Sequence, residues 1–240
     1  MATLVVYTVG QPLYIVGCRD MAARWVFRHI EVESNLVKRL MLAKYHDSWA
    51  YTETQGQTQA FERARANLYV AKMLRHFQNA LKHLWHMPGC DNVRAKLQAI
   101  HVAARALQVP PPFVLHTVGQ ATFSEPEWIY CETAVDDDNK RYVHAYKFHT
   151  AQHESDPWKD LIHGFIHFAY QKSEENSLIA QLDCDGDGII SNLVCYPKLS
   201  HLGPVSEYTE TVDKAFQHFK GEHECNKICN ILALRQLDDV

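Results

Sequence analysis

Three side chains near the end of the chain, His223, Cys225 and Cys229, fall within seven residues in the run His223-Glu-Cys225-Asn226-Lys-Ile-Cys229. Imidazole and thiolate are the ligands Zn²⁺ takes in closed tetrahedral structural sites, and such a site needs four of them. The fourth has to come from elsewhere, and fifteen histidines leave its identity open on composition alone. A second group is acidic: Asp183, Asp185 and Asp187 in the run Asp183-Cys-Asp185-Gly186-Asp187-Gly188-Ile-Ile190-Ser191. Carboxylates at this spacing suit a hard divalent cation, and the pattern imitates an EF-hand loop. Position 12 of that loop, which requires a bidentate Glu, is Val194; a strand-like run precedes the loop and Pro197 follows it. An ordinary EF-hand is therefore not expected.

The elements that must carry these residues can be read from periodicity. Residues 4–9, 14–16, 24–30 and 40–45 read as strands separated by turn or charged residues, a β-rich lobe. From about Thr58 the apolar positions Phe61, Ala64, Leu68, Ala71, Leu74, Phe77, Leu81 and Leu84 recur at three- and four-residue steps, which describes one long amphipathic helix ended by Met87-Pro-Gly. A second helix is expected over 92–107, because Pro110-Pro-Pro cannot continue it. Strands return at 113–116, 127–133 and 141–148. Asp156-Pro157 then opens a helix bearing Trp158, Leu161, Ile162, Phe165 and Ala169 on one face, with Asp as N-cap and Pro in the first position. A strand over 177–183, an irregular Gly/Asp segment, a helix over 209–220 stopped by Gly221 and a short final helix complete the reading. No repeat or Gly/Ser linker divides the chain, so residues 1–240 are expected to form a single α+β domain, with a β-rich N-lobe over about 1–130 and a C-lobe over about 131–240.

Composition narrows the partners. The chain has 240 residues, 47% of them hydrophobic, a net charge of −4 and no basic block, which favours neither nucleic acid nor an anionic membrane. The first nine residues lack a basic n-region and read as a strand, not a signal peptide, and no apolar run reaches membrane-spanning length. Seven cysteines, odd in number and scattered at 18, 90, 131, 184, 195, 225 and 229, suit a reducing, cytoplasmic setting better than a disulfide framework. The oligomeric state is not legible.

Taken in order, several runs between about Leu13 and Leu234 resemble the alpha-kinase family, the atypical Ser/Thr protein kinases that include the elongation-factor kinase, the myosin heavy chain kinases and the channel-kinases. The most specific is Phe219-Lys-Gly-Glu-His223-Glu-Cys225-Asn226-Lys-Ile228-Cys229-Asn-Ile-Leu, against the family's Phe-x-x-x-His-x-Cys-Asn-x-Ile-Cys-x-x-Leu. The family's fourth zinc ligand lies in Ser/Cys-His-Phe-Thr-Tyr, and Ile166-His167-Phe168-Ala169-Tyr170 stands in its place. The resemblance thus implies His167 as the fourth ligand, with His163, one helical turn earlier, and His218 as the competing candidates. Leu178-Ile-Ala-Gln-Leu-Asp183-Cys184-Asp185-Gly186 is similar to the strand that ends Asp-Ile-Gln-Gly. This implies Asp183 as the carboxylate that accepts or orients the substrate hydroxyl, and puts Asp185 at a Mg²⁺-ligand position. Leu42-Ala43-Lys44-Tyr45 resembles Val-Ala-Lys-Arg/Leu-Tyr, implying Lys44 on ATP phosphates. Gly17-Cys-Arg19-Asp20-Met-Ala resembles Gly-x-x-Arg-Glu-Ala, implying Arg19 as a second phosphate contact. Ala71-Lys-Met-Leu-Arg-His-Phe77-Gln78 resembles the long-helix signature, and Tyr130-Cys131-Glu132 the hinge that meets adenine, which makes Glu132 a cofactor contact.

The chain departs from this pattern at two places. The family's Thr-Asp-Pro, whose Asp is the second metal ligand, aligns with Cys195-Tyr196-Pro197, so a phenol stands at the carboxylate position. Asp187 is the available replacement if its loop folds inward. The family's Gly-rich loop before the last zinc ligands falls on Glu207-Tyr-Thr-Glu-Thr-Val212, which holds no Gly. The resemblance implies a two-lobed atypical protein-kinase-like fold with structural Zn²⁺ in the C-terminal lobe, using ATP and Mg²⁺ on a protein substrate. The departures leave open a catalytically inactive pseudokinase that acts as a zinc-stabilised binding module.

Overall fold

In the computed structural model, residues 6–17, 24–34, 37–47, 53–87, 94–116, 128–134, 139–144, 147–148, 156, 158–198 and 207–237 are described. Arg19 and Pro157 lie outside them. Thirteen elements follow in order: β1 (Val6–Gly17), β2 (Arg24–Ser34), β3 (Val37–Asp47), α1 (Glu53–His86), α2 (Arg94–Ala106), β4 (Phe113–His116), β5 (Trp128–Thr133), β6 (Lys140–His144), α3 (Lys159–Lys172), β7 (Ser177–Cys184), β8 (Ile190–Pro197), α4 (Glu207–Glu222) and α5 (Lys227–Ile231). They form two compact units, residues 1–68 with 110–135 and residues 69–109 with 136–240. Residues 69–109, read from sequence as part of the first lobe, pack in the second unit. Among the described residues no helix is long and apolar enough to cross a membrane.

The first unit is an antiparallel sheet in the order β1-β2-β3-β5-β4. Strand alternation sends Ile30, Val32, Met41, Ala43, Tyr45, Leu115, Ile129 and Cys131 into one apolar cluster. The opposite face carries Lys44, Tyr130 and Glu132, all buried, with Tyr130 packed on Ala60 and Ala64 of α1. The two short strands expected over 4–9 and 14–16 are one strand, β1. Pro12 shifts the register against β2 without ending the pairing, because β1 is an edge strand and can lose a ladder hydrogen bond.

In the second unit the sheet β6-β7-β8 shares a core with α3 and with the later turns of α1. Phe77 meets Phe165 and Phe168 with ring centroids 5.5 and 5.6 Å apart, and Leu161, Ile166, Leu178, Ile179 and Leu182 complete the cluster. Strand β8 falls in a segment expected to be irregular; Asn192, at φ +52°, and two register shifts against β7 break the period-2 pattern that would have revealed it. The strand expected over 141–148 ends at His144, where the Lys147 N–H turns back to the His144 carbonyl at 2.9 Å. Helix α3 begins at Lys159, later than the Asp-Pro signal. Asp156 still organises its entry, accepting the Trp158 N–H at 2.9 Å. Gly221 does not stop α4, which runs on to Glu222, where the Glu222 carboxylate accepts the Phe148 N–H at 3.0 Å.

The β7–β8 turn is clamped to the end of α2. Gln108 donates its N–H to the Gly188 carbonyl at 2.9 Å and accepts that of Ile190 at 2.7 Å. Gly188 sits at φ +88°, and a Cβ there would meet the Ala106 carbonyl oxygen at 2.9 Å. Gly188→Ala combines a left-handed backbone with a clash against immobile backbone. Denaturant unfolding is expected to show a loss of about 1–3 kcal/mol; an unchanged midpoint would mean the turn is not held as described.

Candidate functional site

His167, His223, Cys225 and Cys229 converge in the second unit, and their ligand atoms all lie within 4.8 Å of one another. His167 comes from the buried face of α3, His223 and Cys225 from the link after α4, and Cys229 from α5. The Cys225 Sγ is 3.7 Å from His167 Nδ1 and the Cys229 Sγ is 3.6 Å from His223 Nε2. By the usual Zn–N and Zn–S bond lengths, ligands of one tetrahedral ion stand about 3.3–3.8 Å apart, so two nitrogens and two sulfurs at this spacing fit that ion. His163 lies on the same helix, buried, and outside the set of four. His218 also lies outside it, half exposed, with its Nδ1 2.9 Å from Glu222.

Local sequence explains the geometry. Asn226 caps α5, its side-chain oxygen accepting the N–H groups of Ile228 at 2.8 Å and Cys229 at 3.2 Å, while its amide donates to the Asp160 carbonyl at 2.9 Å. The cap therefore starts the helix that carries Cys229 and ties it to the first turn of α3. Gly164 makes room for this docking, since a Cβ there would come within 2.6 Å of the Ile228 side chain. The far nitrogen of His167 meets Gln171 at 3.0 Å. Gln171 in turn donates to the Arg235 carbonyl at 2.6 Å and accepts the Arg235 N–H at 3.1 Å.

Burial holds both imidazoles neutral, the state in which they can ligate. Desolvation lowers His167 to about 4, and desolvation with His167 and His163 nearby lowers His223 to about 3. Desolvation likewise pushes the Cys229 thiol up to about 12, so an apolar surround alone favours the thiol, and a cation is what would favour the thiolate.

The acidic group is arranged differently. Asp183, only 6% exposed, lies on β7 directly opposite Arg141 of β6 and Ser191 of β8. Its Oδ1 accepts from Arg141 Nε at 3.0 Å, and its Oδ2 accepts from Asn192 Nδ2 at 2.9 Å and from Arg141 Nη2 at 3.4 Å. Asp185 is also buried, and its Oδ1 accepts the N–H groups of Asp187 at 3.0 Å and Ile189 at 2.8 Å, which shapes the hairpin turn. Asp187 is exposed and does not fold inward. Among the described residues, the His/Cys set alone brings three or more His, Cys, Asp or Glu ligands together. The arrangement does not fit a Mg²⁺ ion held by Asp183, Asp185 and Asp187, nor an EF-hand, because strands flank the turn on both sides. Tyr196 pairs with Leu178, five residues along β7 from Asp183. The residues of β8 that stand beside Asp183 are Ser191 and Asn192.

In the first unit Lys44, 2% exposed, forms an ion pair with Glu132 across β3 and β5. Its Nζ lies 5.7 Å from the centre of the Phe27 ring. Glu132 also accepts the Tyr130 hydroxyl at 3.3 Å, and Asn67 of α1 donates to that hydroxyl at 3.4 Å. Glu132, read from sequence as an adenine contact, is placed as the counter-ion of Lys44. Sequence reading missed Arg141, Asn192, Asn67, Gln171 and Arg235. Only cross-strand register or helix packing brings them to these partners, and a single chain carries no local signal of either.

The family model described as "Alpha-kinase family" matches residues 19–229. Compared with curated proteins, the chain matches none. Among solved structures it is similar to the alpha-kinase domain of myosin heavy chain kinase A in complex with AMP, at 12% identity and a TM-score of 0.58, over 95% of this chain and 90% of that one. It is similar to an inactive form of that domain complexed with ATP, at 11% and 0.52, over 97% and 90%. It also matches a novel alpha kinase from Entamoeba histolytica, at 11% and 0.55, over 97% and 80%. Identities this low speak for the fold alone.

Two outcomes follow from the His/Cys geometry. Gly164→Ala should push Ile228 and α5 away from α3 and lower stability by about 1–3 kcal/mol, seen as a lower unfolding midpoint, whereas Gly221→Ala, where a Cβ meets nothing within 4 Å, should not. The unfolded chain protonates its histidines near pH 6.5, but the folded chain protonates His167 only near 4 and His223 near 3. The unfolded state then binds more protons across that window, so stability is full above about pH 6.5 and falls as the pH drops through it. Melting temperatures that did not decline from pH 7 to pH 4.5 would contradict neutral burial of these rings.

Proposed function

The chain belongs to the alpha-kinase family, and from that premise we propose that it is an alpha-type protein kinase transferring the terminal phosphoryl group of ATP to a Ser or Thr hydroxyl of a protein substrate. The observation that carries this reading is Lys44, an ammonium kept out of solvent on a β-strand with Glu132 as its partner. Holding a cation in such a place costs desolvation that a purely structural pair seldom recovers; a pre-oriented ammonium for phosphate oxygens accounts for it. In this reading Lys44 pairs with the phosphates, Glu132 fixes its orientation, and Arg19 adds a second phosphate contact. Asp183 accepts or orients the substrate hydroxyl, itself oriented by Arg141 and Asn192. No step is assigned to a protein-held Mg²⁺. Residues 1–240 make one such domain, acting in the cytoplasm.

A structural Zn²⁺ held by His167, His223, Cys225 and Cys229 belongs to the same proposal, supported by the N₂S₂ donor set and its spacing. The ion supplies no chemistry to phosphoryl transfer; it would tie α3 and α5 to the end of α4.

A specific observation favours a second reading, a pseudokinase binding module. Both oxygens of Asp183 are already hydrogen-bonded to the Arg141 guanidinium, and one of them also to Asn192.

Thermal shift with ATP followed by phosphate incorporation into a basic protein substrate decides between the two. The kinase reading expects stabilisation by ATP and labelling that falls about a hundredfold or more in Asp183→Ala. ATP stabilisation without labelling supports the pseudokinase, and neither signal removes both nucleotide readings. The metal is tested separately: one Zn²⁺ per chain by elemental analysis, with Cys229→Ser or strong chelation lowering the melting temperature by on the order of 10 °C. An unchanged melting transition would exclude the four-ligand site.

A further inference from the structure

The later turns of α1 and the whole of α2 carry charge of one sign. Residues 69–109 hold six Lys or Arg against one acidic residue, Asp91, a net +5 in a chain of net −4, so the rest of the chain carries −9. The solvent face of α1 past Tyr69 is Lys72, Arg75, Asn79, Lys82, His83 and His86, all exposed; at 3.6 residues per turn they share an arc of about 100°. Helix α2 runs antiparallel beside it: Gln78 donates to the Ala104 and Leu107 carbonyls at 2.9 and 3.0 Å, and the Trp85 ring stacks on His101 at 5.5 Å. Burial first, and then Arg105, Lys82 and His86, hold the His101 imidazole below its usual value, so three basic groups surround this one contact. A merely solvated helix face ordinarily mixes both signs, because like charges at i,i+3 and i,i+4 are destabilising. Lys72 with Arg75 and Lys82 with His86 have that spacing. Lys72, Arg75, Lys82 and Arg105 form no ion pair among the described residues. No contiguous basic run marks this face in the sequence, since the cations are set apart by the apolar positions that bury the helices.

The face leads toward the turn that follows Asp183. Arg105 lies one helical turn before Gln108, whose backbone is bonded to Gly188 and Ile190 of the β7–β8 turn at 2.9 and 2.7 Å, and β7 is the strand that carries Asp183. Resting on the protein-kinase reading above, we infer that this face of α1, with the adjoining edge of α2, docks a short acidic segment of the protein substrate, rich in Asp and Glu, outside the residues that act on the hydroxyl. The charge of the remaining chain selects this occupant. Nucleic acid and an anionic membrane extend beyond any one patch and are repelled by the −9 carried elsewhere, whereas a short segment meets only the basic face. From Lys72 to His86 the face is about 21 Å long, the reach of about six extended residues. Val102 on α2 and Met87 just past α1, 60% and 40% exposed, supply the apolar contact that protein interfaces combine with charge.

The test is fluorescence anisotropy with the full chain and a labelled peptide of about ten residues built of Glu-Ala repeats, without nucleotide. Saturable binding is expected, weakening about tenfold between about 0.05 and 0.3 M NaCl. Arg75→Glu/Lys82→Glu should weaken it at least about tenfold, whereas Lys38→Glu/Lys214→Glu, the same change of net charge at two other exposed lysines, should leave it within about twofold. Lys82→Gln/Arg105→Gln gives an independent reading should the reversed pair not fold, and the melting temperature of each variant shows whether the fold is intact. No measurable binding by the wild type, or an equal loss in the patch and control variants, would overturn the inference. Tighter binding of an oligothymidylate of equal charge, or of phosphatidylserine vesicles, overturns it as well, because the face would then serve a different polyanion. Joined to a phosphoacceptor peptide, the acidic segment should lower KM at least about fivefold with kcat unchanged, an advantage lost in Arg75→Glu/Lys82→Glu; an unchanged KM removes the docking role. Peptide binding without any phosphate transfer counts against the kinase reading instead, since the anisotropy assay needs neither ATP nor turnover.

Discussion

The second unit depends on a burial problem with one solution. His167 and Cys229 are buried and His223 and Cys225 partly so, the charged forms of His167, His223 and Cys229 are disfavoured by desolvation, and the donor atoms of all four face one another. Polar groups removed from water have to be matched, and here each ligand atom is matched only if α3, the end of α4 and α5 come to the same point. Helix α5 is five residues long, too short to be stable by itself. It persists because Asn226 caps it, Ile228 fills the notch left by Gly164, and Cys229 joins the group of four. The tail beyond it is held in turn, since Gln171 exchanges two hydrogen bonds with the backbone of Arg235.

Two ion pairs show how differently a sheet can use charge. Lys44 and Glu132 are both buried on one face of the first unit's sheet, with Tyr130 and Asn67 extending the network. Removing either partner would strand the other in a medium that cannot solvate it, so such pairs impose geometry more than they add stability. The Arg141–Asp183 pair joins a half-exposed guanidinium to a buried carboxylate. It contributes little through Coulomb energy, which solvent screens on the Arg side, and acts mainly by fixing the orientation of the Asp183 carboxylate. The β7–β8 turn beside it is held in shape because Gln108 and Asp185 together engage backbone groups of the loop, with Asp187 left exposed.

Much of this was legible from residue type and spacing. The His-x-Cys-Asn-x-x-Cys run, the strand ending at Asp183, the Lys on β3 and the 3.6-period of α1 are local patterns, and local patterns survive in a single sequence because propensity, capping and periodicity act over a few residues. The family and the α+β class followed from their order. Even the fourth member of the His/Cys set, His167, was implied by the resemblance of Ile166-His167-Phe168-Ala169-Tyr170 to the family's run.

What lay beyond the sequence was every fact set by register or by packing between distant elements. A shift of one residue along a strand turns a side chain to the other face, so no reading of Cys195-Tyr196-Pro197 could reveal that Tyr196 pairs with Leu178 while Ser191 faces Asp183. Nor could it reveal that Arg141, forty-two positions away, lies across from the same carboxylate, or that Glu132 turns to Lys44. The types of the chemical groups are written locally in the chain; their partners, and with them the charge each group actually meets, are decided where separate strands and helices come into contact.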